Sequence, residues 1–323
     1  MYKILVTGVG AIIGYGIIQS LRQSKYDVTI IGTDIYDDAI GREWCDIFEQ
    51  GVLANSKEYP QFLKNLIMKY DIDLIIPGIE QDINRIVREY DYFSTLDTKF
   101  AINNRQLIEI ANDKWLTHLM LVKNGFPVIP TYIDGEFDEV KLALDIPMLM
   151  KPRNSYASKG IHQIDTPEDF NYWKNKLEKE FMVQKIVGDA DSEYTVAAFG
   201  LGDGTCSQKI SLKRKLGADG ATSKANVVIS TQLDTIVDRL VASFKPIGPT
   251  NFQFIYHKGE FLLLEINPRV SSSTSIRNAF GYNEAEMCID YYLKNQIPKI
   301  REVKRGSAIR YIKEKIYYDS DYI

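Results

Sequence analysis

Short apolar runs alternate with helical stripes over the first third of the chain. Residues 3–7 (KILVT) form one run, stopped by a glycine turn, and residues 12–21 continue as a helical segment. Residues 28–32 form a second run. Phe62, Leu63, Leu66 and Ile67 line one side of a helix, and residues 73–77 (DLIIP) read as another buried strand. Short runs bounded by turns and interleaved with helix-period stripes predict a parallel sheet with crossover helices. This α/β unit closes near residue 110.

The rhythm then changes. A helical stretch over 113–124 meets the breakers Gly125-Phe126-Pro127, and a strand over 148–151 is stopped by Pro152. Thr166-Pro167-Glu168-Asp169 opens a helix, with a cap residue, a first-turn proline and acids near the positive end. Strands follow at 181–186, 194–199 and 205–211. Leu233, Ile236, Val237, Leu240, Val241 and Phe244 mark an amphipathic helix. Residues 251–256 and 261–267 predict a hairpin around Lys258-Gly259. Strands in series make this part α+β, and no internal repeat or low-complexity segment interrupts it.

Composition narrows the function classes. With 323 residues, 45% hydrophobic and 25% charged, the chain has the balance of a globular protein large enough for two or three packed units. A net charge of -4 argues against nucleic-acid binding driven by bulk charge. Cys45, Cys206 and Cys288 are far apart and only His118, His162 and His257 could assist them, so neither a disulfide framework nor a structural zinc site is expected. Met1-Tyr2-Lys3 runs directly into the first strand without a signal-peptide layout, and no apolar run approaches membrane-spanning length. A cytoplasmic protein with no nucleic-acid or membrane partner is the expectation.

Gly8-x-Gly10-x-x-x-Gly14 follows a strand and opens a helix, and Asp34 ends the next strand. This is near a dinucleotide fingerprint with its ribose-binding acid, although Gly14 comes one residue late. A tight strand-to-helix turn with no nucleotide accounts for the same residues. An NAD(P)-dependent oxidoreductase would also need a catalytic set. Tyr172-x-x-x-Lys176 and Tyr311-x-x-x-Lys315 have a usable spacing but lie in charged, tyrosine-rich stretches, and that reading leaves the second half unexplained.

The stronger signal is Gln253 followed by Leu263-Leu264-Glu265-Ile266-Asn267-Pro268-Arg269. Alternation puts Glu265 and Asn267 on one face of a strand. If Lys258–Glu260 form a three-residue loop, Gln253 sits directly across from Glu265. A carboxylate and two amide oxygens then converge, a hard-oxygen set that suits magnesium completed by phosphates and water. Pro268 ends the strand and turns Arg269 toward the same place. A polar hairpin face meeting only water is the plain alternative, but an acid and amides amid Leu262, Leu263, Leu264 and Ile266 are costly to bury without a partner.

These residues resemble the metal-binding hairpin of the ATP-grasp superfamily, in its carbamoyl-phosphate-synthase-like branch: NFQFIYHKGEFLLLEINPRVSSS carries the glutamine, glutamate, asparagine and arginine in order. The resemblance covers roughly residues 1–295. It implies a Rossmann-like pre-ATP-grasp domain (1–110) and a two-subdomain ATP-grasp fold (111–295). Within the latter a central lid subdomain spans about 115–185 and a catalytic subdomain about 186–295, followed by a C-terminal tail (296–323). It further implies that Lys114 and Lys151 contact ATP phosphates and that Asn154 to Gly160, including Ser158 and Lys159, form the lid. Gln184, Lys185 and Ile186 stand at the adenine hinge, and Glu193 binds the ribose. Gln253, Glu265 and Asn267 hold two magnesium ions, with manganese as an alternative. Arg269 and Lys151 act on the transferring phosphoryl group.

The implied activity is that of an ATP-dependent ligase joining a carboxylate to an amine (or thiol) through an acyl phosphate, with small-molecule substrates. Ser271, Ser272 and Arg277, just past the hairpin, are candidates for the substrate carboxylate. Glu80, after Pro77-Gly78-Ile79, lies at a strand end suited to a substrate pocket. Arg214, in the basic cluster Lys213-Arg214-Lys215 beside an expected loop, holds an anionic substrate or is simply a solvated basic turn. The alternatives are carbamoyl-phosphate-synthase-like phosphorylation of bicarbonate or carbamate, the oxidoreductase above, and a non-catalytic nucleotide binder. One synthase-like half and no glutaminase motif are present, which favours the ligase. A homodimer is common among such enzymes, and no residue pattern here specifies one.

Overall fold

The computed structural model describes residues 1–155, 160–178, 180–189 and 191–318. The first unit runs β1 (Tyr2–Thr7), α1 (Ile12–Arg22), β2 (Val28–Asp34), β3 (Ile47–Gln50), α2 (Tyr59–Tyr70), β4 (Leu74–Ile76), α3 (Glu80–Arg88), α4 (Tyr90–Phe93) and β5 (Lys99–Phe100). Its strands form a five-stranded parallel sheet in the order β3-β2-β1-β4-β5. The central strands are buried on both faces, which is why they read as unbroken apolar runs rather than alternations. Leu5, Ile31 and Ile75 pack against Leu63, Leu66 and Ile67 of α2. Ile4, Val6, Ile30 and Ile76 pack against Ile17, Ile18 and Leu21 of α1.

The glycines of the first turn serve close approach. A Cβ on Gly14 would stand 2.2 Å from the Gly8 carbonyl oxygen, and one on Gly78 would stand 2.3 Å from that of Thr7. Gly8 itself has φ +62. The start of α1 therefore lies directly on the chain leaving β1. Asp34 accepts a hydrogen bond from the Gly10 amide at 2.8 Å, tying the acid to the turn.

Next come α5 (Arg105–Asn112), α6 (Lys114–Lys123), β6 (Thr131–Tyr132), α7 (Phe137–Leu144), β7 (Met148–Pro152), β8 (His162–Ile164), α8 (Pro167–Leu177) and β9 (Phe181–Lys185). Their strands make an antiparallel sheet in the order β6-β9-β7-β8. Val140 and Leu144 of α7 and Phe170 of α8 cover its Met148, Met150 and Val183. Leu107 of α5 packs with the core of the third unit while Ile108 joins Ile83 and Val87 of α3, so α5 bridges the units near the expected boundary at 110.

The third unit contains β10 (Glu193–Leu201), β11 (Cys206–Leu216), β12 (Thr222–Val228), α9 (Thr231–Phe244), β13 (Ile247–His257), β14 (Glu260–Asn267), α10 (Thr274–Ala279), α11 (Glu284–Cys288) and β15 (Ser307–Ile309). The six strands form an antiparallel sheet, β14-β13-β10-β11-β12-β15. One face, with Val196, Ala198, Phe252 and Phe254, is covered by Leu233, Val237 and Leu240 of α9. The other carries Ala197, Phe199 and Leu212, which share one core with α1 and with Tyr282, Ala285 and Cys288. The α/β unit is thus seated on the large sheet by continuous apolar packing. Residues 307–309, expected within a tail, supply the sheet's edge strand. Cys45, Cys206 and Cys288 are free thiols. No helix among the described residues is long and apolar enough to cross a membrane.

Gly14→Ala should destabilise the protein by about 1–3 kcal/mol, the usual cost of overpacking a close contact. Urea denaturation of the two forms measures it.

Candidate active site

The hairpin β13–β14 brings the expected oxygen ligands into register by a route other than the expected one. The loop is two residues, Lys258 and Gly259, with His257 paired to Glu260. Left uninterrupted, that register would place Leu264 opposite Gln253. A bulge between Gln253 and Phe254 takes up one residue, so Gln253 pairs with Glu265 and Asn251 with Asn267. Side chains opposite one another share a face, so both pairs project to the same side.

Glu265 is the least compensated group of the site. No hydrogen bond reaches its carboxylate among the described residues, and burial raises its pKa, with Glu80 adding to the rise. Lys114, Arg269 and Lys151 oppose it. Arg269 donates from one terminal nitrogen to Glu80 at 2.9 Å and to Asn267 Oδ1 at 2.8 Å. Glu80, Ser155, Glu265, Asn267 and Arg269 line one small cavity.

Lys114 is placed by the start of α6. Asp113 caps that helix, accepting from the Trp115 amide at 2.8 Å, and pairs with Arg153 on the neighbouring unit. Lys114 Nζ donates to the Ser155 carbonyl at 2.5 Å and to its hydroxyl at 3.1 Å. Ser158 and Lys159, expected in the lid, lie outside the described residues. Gly160 closes that stretch with φ +74 and packs where a Cβ would meet Pro152 at 2.9 Å.

Lys151 sits on β7, buried. Burial and the neighbouring Lys114 bring its ammonium pKa down to about 8. It donates to Gln184 Oε1 at 2.8 Å, and Gln184 Nε2 donates to Thr131 Oγ1 at 2.9 Å. Strand β9 thus presents Gln184 to the lysine, while Lys185 Nζ turns outward to Asp145 at 2.7 Å and Ile186 follows the strand end.

Arg214 differs most from its sequence surroundings. Lys213-Arg214-Lys215 lies within strand β11, not beside a loop. Alternation sends Lys215 out to Asp191 at 2.6 Å and Arg214 inward, buried. There it donates to Gln253 Oε1 at 2.7 Å and pairs with Glu193 at 3.3 Å. The Gln253 oxygen is therefore engaged with Arg214, and one guanidinium links the expected metal and ribose residues.

Arg277 is fully buried on α10. It donates to Ser271 Oγ at 2.9 Å, to Thr195 Oγ1 at 3.1 Å and to Asn251 Oδ1, and pairs with buried Glu284 at 3.5 Å. The Ser272 carbonyl accepts from Arg310 at 2.7 Å. Ser271, Ser272 and Arg277 thus meet protein partners and do not line the cavity beside Arg269. Asn251 and Thr195 escaped sequence reasoning. Both lie in strands of mixed polarity, and their only signal was sharing a side-chain parity with Gln253 and Glu193.

A divalent cation fits this donor set on one observation: the half-buried carboxylate of Glu265 has no hydrogen bond among the described residues and shares its face of the hairpin with the amides of Asn267 and Gln253. Among the described residues no group of three or more His, Cys, Asp or Glu could hold a metal, so any ion here relies on amide oxygens and on its substrate.

Residues 178–315 match the family model described as ATP-grasp in the biosynthetic pathway with Ter operon. An uncharacterized protein of Mycoplasma pneumoniae, the MG011 homolog, is 29% identical over 121 residues, covering 37% of this chain and 41% of that protein. The chain therefore aligns with less than half the length of that curated relative. Among solved structures, N5-carboxyaminoimidazole ribonucleotide synthetase from Thermotoga maritima has a TM-score of 0.70 at 18% identity, covering 98% of this chain and 82% of that one. The Staphylococcus aureus N5-carboxyaminoimidazole synthetase complexed with ADP has 0.72 at 17%, covering 94% and 80%. An L-amino acid ligase from Bacillus licheniformis has 0.68 at 12%, covering 91% and 74%. At these identities the likeness is one of fold.

Replacing Arg277 by methionine leaves Glu284 buried and unpaired. Loss of one partner of such a pair costs about 3–5 kcal/mol. Urea denaturation of Arg277→Met should show a drop of that order, whereas an exposed substrate-contacting arginine would leave stability near its original value.

Proposed function

We propose that this chain, whose residues 178–315 match an ATP-grasp family model and whose fold is that of synthetase and ligase structures, is an ATP-grasp ligase that joins a carboxylate to an amine through an acyl phosphate. The observation that carries this reading is the half-buried Glu265 carboxylate, without a hydrogen bond among the described residues and opposed by Lys114, Arg269 and Lys151. In this reading Lys114 and Lys151 meet the triphosphate, and Gln184, Lys185 and Ile186 stand at the adenine. Glu193 takes the ribose hydroxyls. Glu265, Asn267 and Gln253 would hold magnesium, two ions, which offsets charge on the β- and γ-phosphates when bound.

Phosphoryl transfer to a carboxylate needs positioning and charge neutralisation more than covalent help. Arg269 suits the transferring group because its planar fork matches phosphoryl and acyl-phosphate oxygens, and Glu80 steadies it at 2.9 Å. The amine then displaces phosphate. No serine or cysteine nucleophile is required.

A screen of amino acids and organic acids for stimulated ADP release, with product mass measured, tests the reading. Stimulation by bicarbonate alone would move the assignment to carbamoyl-phosphate-synthase-like chemistry. Glu265→Ala should lower ADP release by about a hundredfold or more, since metal-held charge is worth several kcal/mol in such transition states. Its circular-dichroism melt should stay cooperative, and near-normal turnover by this variant would sink the proposal.

Lys151 supplies a pH test. Its ammonium is depressed from 10.5 to about 8 in the free protein. Between those values the folded chain holds fewer protons than the unfolded one, so the charge-burial penalty is relieved and stability rises with pH across that window. A triphosphate against Lys151 restores the charge, so MgATP binding near pH 9 should take up about one proton. Calorimetry in two buffers of different ionisation enthalpy reads it. A buffer-independent enthalpy would place Lys151 away from the phosphates.

A further inference from the structure

A second cleft, of about 720 Å³, opens at the carboxyl ends of β1, β2 and β4 in the α/β unit. Its size is that of a small-molecule pocket. Helix α3 divides it from the candidate active site: Glu80 and Ile83 face Arg269, while Gln81, Asp82, Arg85 and Arg88 face the cleft. Ile35, Leu53, Phe62 and Leu63 make much of its wall apolar.

Two buried polar atoms of this cleft, Thr33 Oγ1 and Arg85 Nε, have no hydrogen-bond partner among the described residues, while the Tyr59 hydroxyl is turned to the Asp82 carboxylate. Buried polar groups are ordinarily paired, so two around one void point to a ligand that pairs them. Thr33 is only 5% exposed. Asp82, also buried, faces the Tyr59 and Thr7 hydroxyls, and burial pushes its carboxyl up to about 6. A cation brought to it would relieve that cost.

The other end of the cleft has the opposite sign. Asp82, Arg85 and Arg88 follow at intervals of three along α3, so they form a row with a rise of about 4.5 Å per step. Arg85 is shared with Glu89 at 3.2 Å, and Arg88 is exposed with no ion-pair partner among the described residues. The row presents an acid and then two guanidiniums along one apolar wall.

We propose that this cleft binds a small zwitterion of the α-amino-acid class. Its ammonium lies toward Asp82 and Tyr59, its carboxylate toward Arg85 and Arg88, and an apolar side chain against Leu53 and Phe62. Occupancy needs no nucleotide, so this site stands apart from the ligase reading and is tested without ATP.

The test is thermal shift and calorimetry on the full chain with leucine, methionine and phenylalanine. Leucine methyl ester, 4-methylpentanoate and AMP serve as probes lacking the carboxylate, lacking the amine, and offering a nucleotide. At least one free amino acid is expected to raise the melting temperature, and the ester and the acid are not. Arg88→Ala should weaken that binding about tenfold or more, as expected for loss of a charge-assisted contact. Tyr59→Phe should weaken it by removing the hydroxyl beside Asp82 at the ammonium end. Glu265→Ala should bind the amino acid as the original protein does. Binding by none of the three amino acids, unchanged binding in Arg88→Ala and Tyr59→Phe, or AMP occupying the cleft in their place would overturn the assignment.

Discussion

A carboxylate held half-buried without a hydrogen bond persists only where other charges answer it, and Glu265 is answered from three separate elements. Lys151 comes from the four-stranded sheet, Lys114 from the helix between the units, and Arg269 from the segment leaving β14. Glu80, from the α/β unit, holds Arg269 in place. The site is therefore not a property of the hairpin alone. Its charge balance exists only when all three sheets are docked, and the shared apolar core beneath α1 secures part of that docking.

Docking is reinforced by polar contacts at the seams. Asp113 joins α6 to Arg153 beyond β7, and Arg277 fastens α10 to β10 and β13 through Thr195 and Asn251. Arg214 does the same within the sheet by spanning Glu193 and Gln253. Arg277 and Arg214 are desolvated, and each is matched by oxygens from more than one element. Such networks cost less than isolated buried charges and hold relative positions firmly.

Much of the architecture was legible in the chain because periodicity follows burial. The doubly covered strands of the first sheet read as apolar runs, and the hairpin ligands read as polar residues in an apolar strand. What escaped has a physical pattern. Strands β3, β12 and β15 are short or half-exposed and carry mixed residues, so alternation is blurred. Lys213-Arg214-Lys215 looked like a basic turn because composition does not record which way a strand residue faces. Arg277 looked like a substrate contact because its sequence distance from Arg269 is small, whereas its buried partner, Glu284, lies in a separate helix. Gln253 met Glu265 as expected, but through a short loop plus a bulge, and the two departures cancel.

That cancellation insulates one end of the hairpin from the other. The tip at Lys258-Gly259 lies in solvent, where chains readily gain or lose a residue. The loss of a residue there can be absorbed by flattening the irregularity at Leu264, with the ligand-bearing half keeping its alignment. Length variation at the exposed turn and fidelity at the buried oxygens are thereby uncoupled, so the outer half of this ribbon is free to drift while its inner half stays fixed.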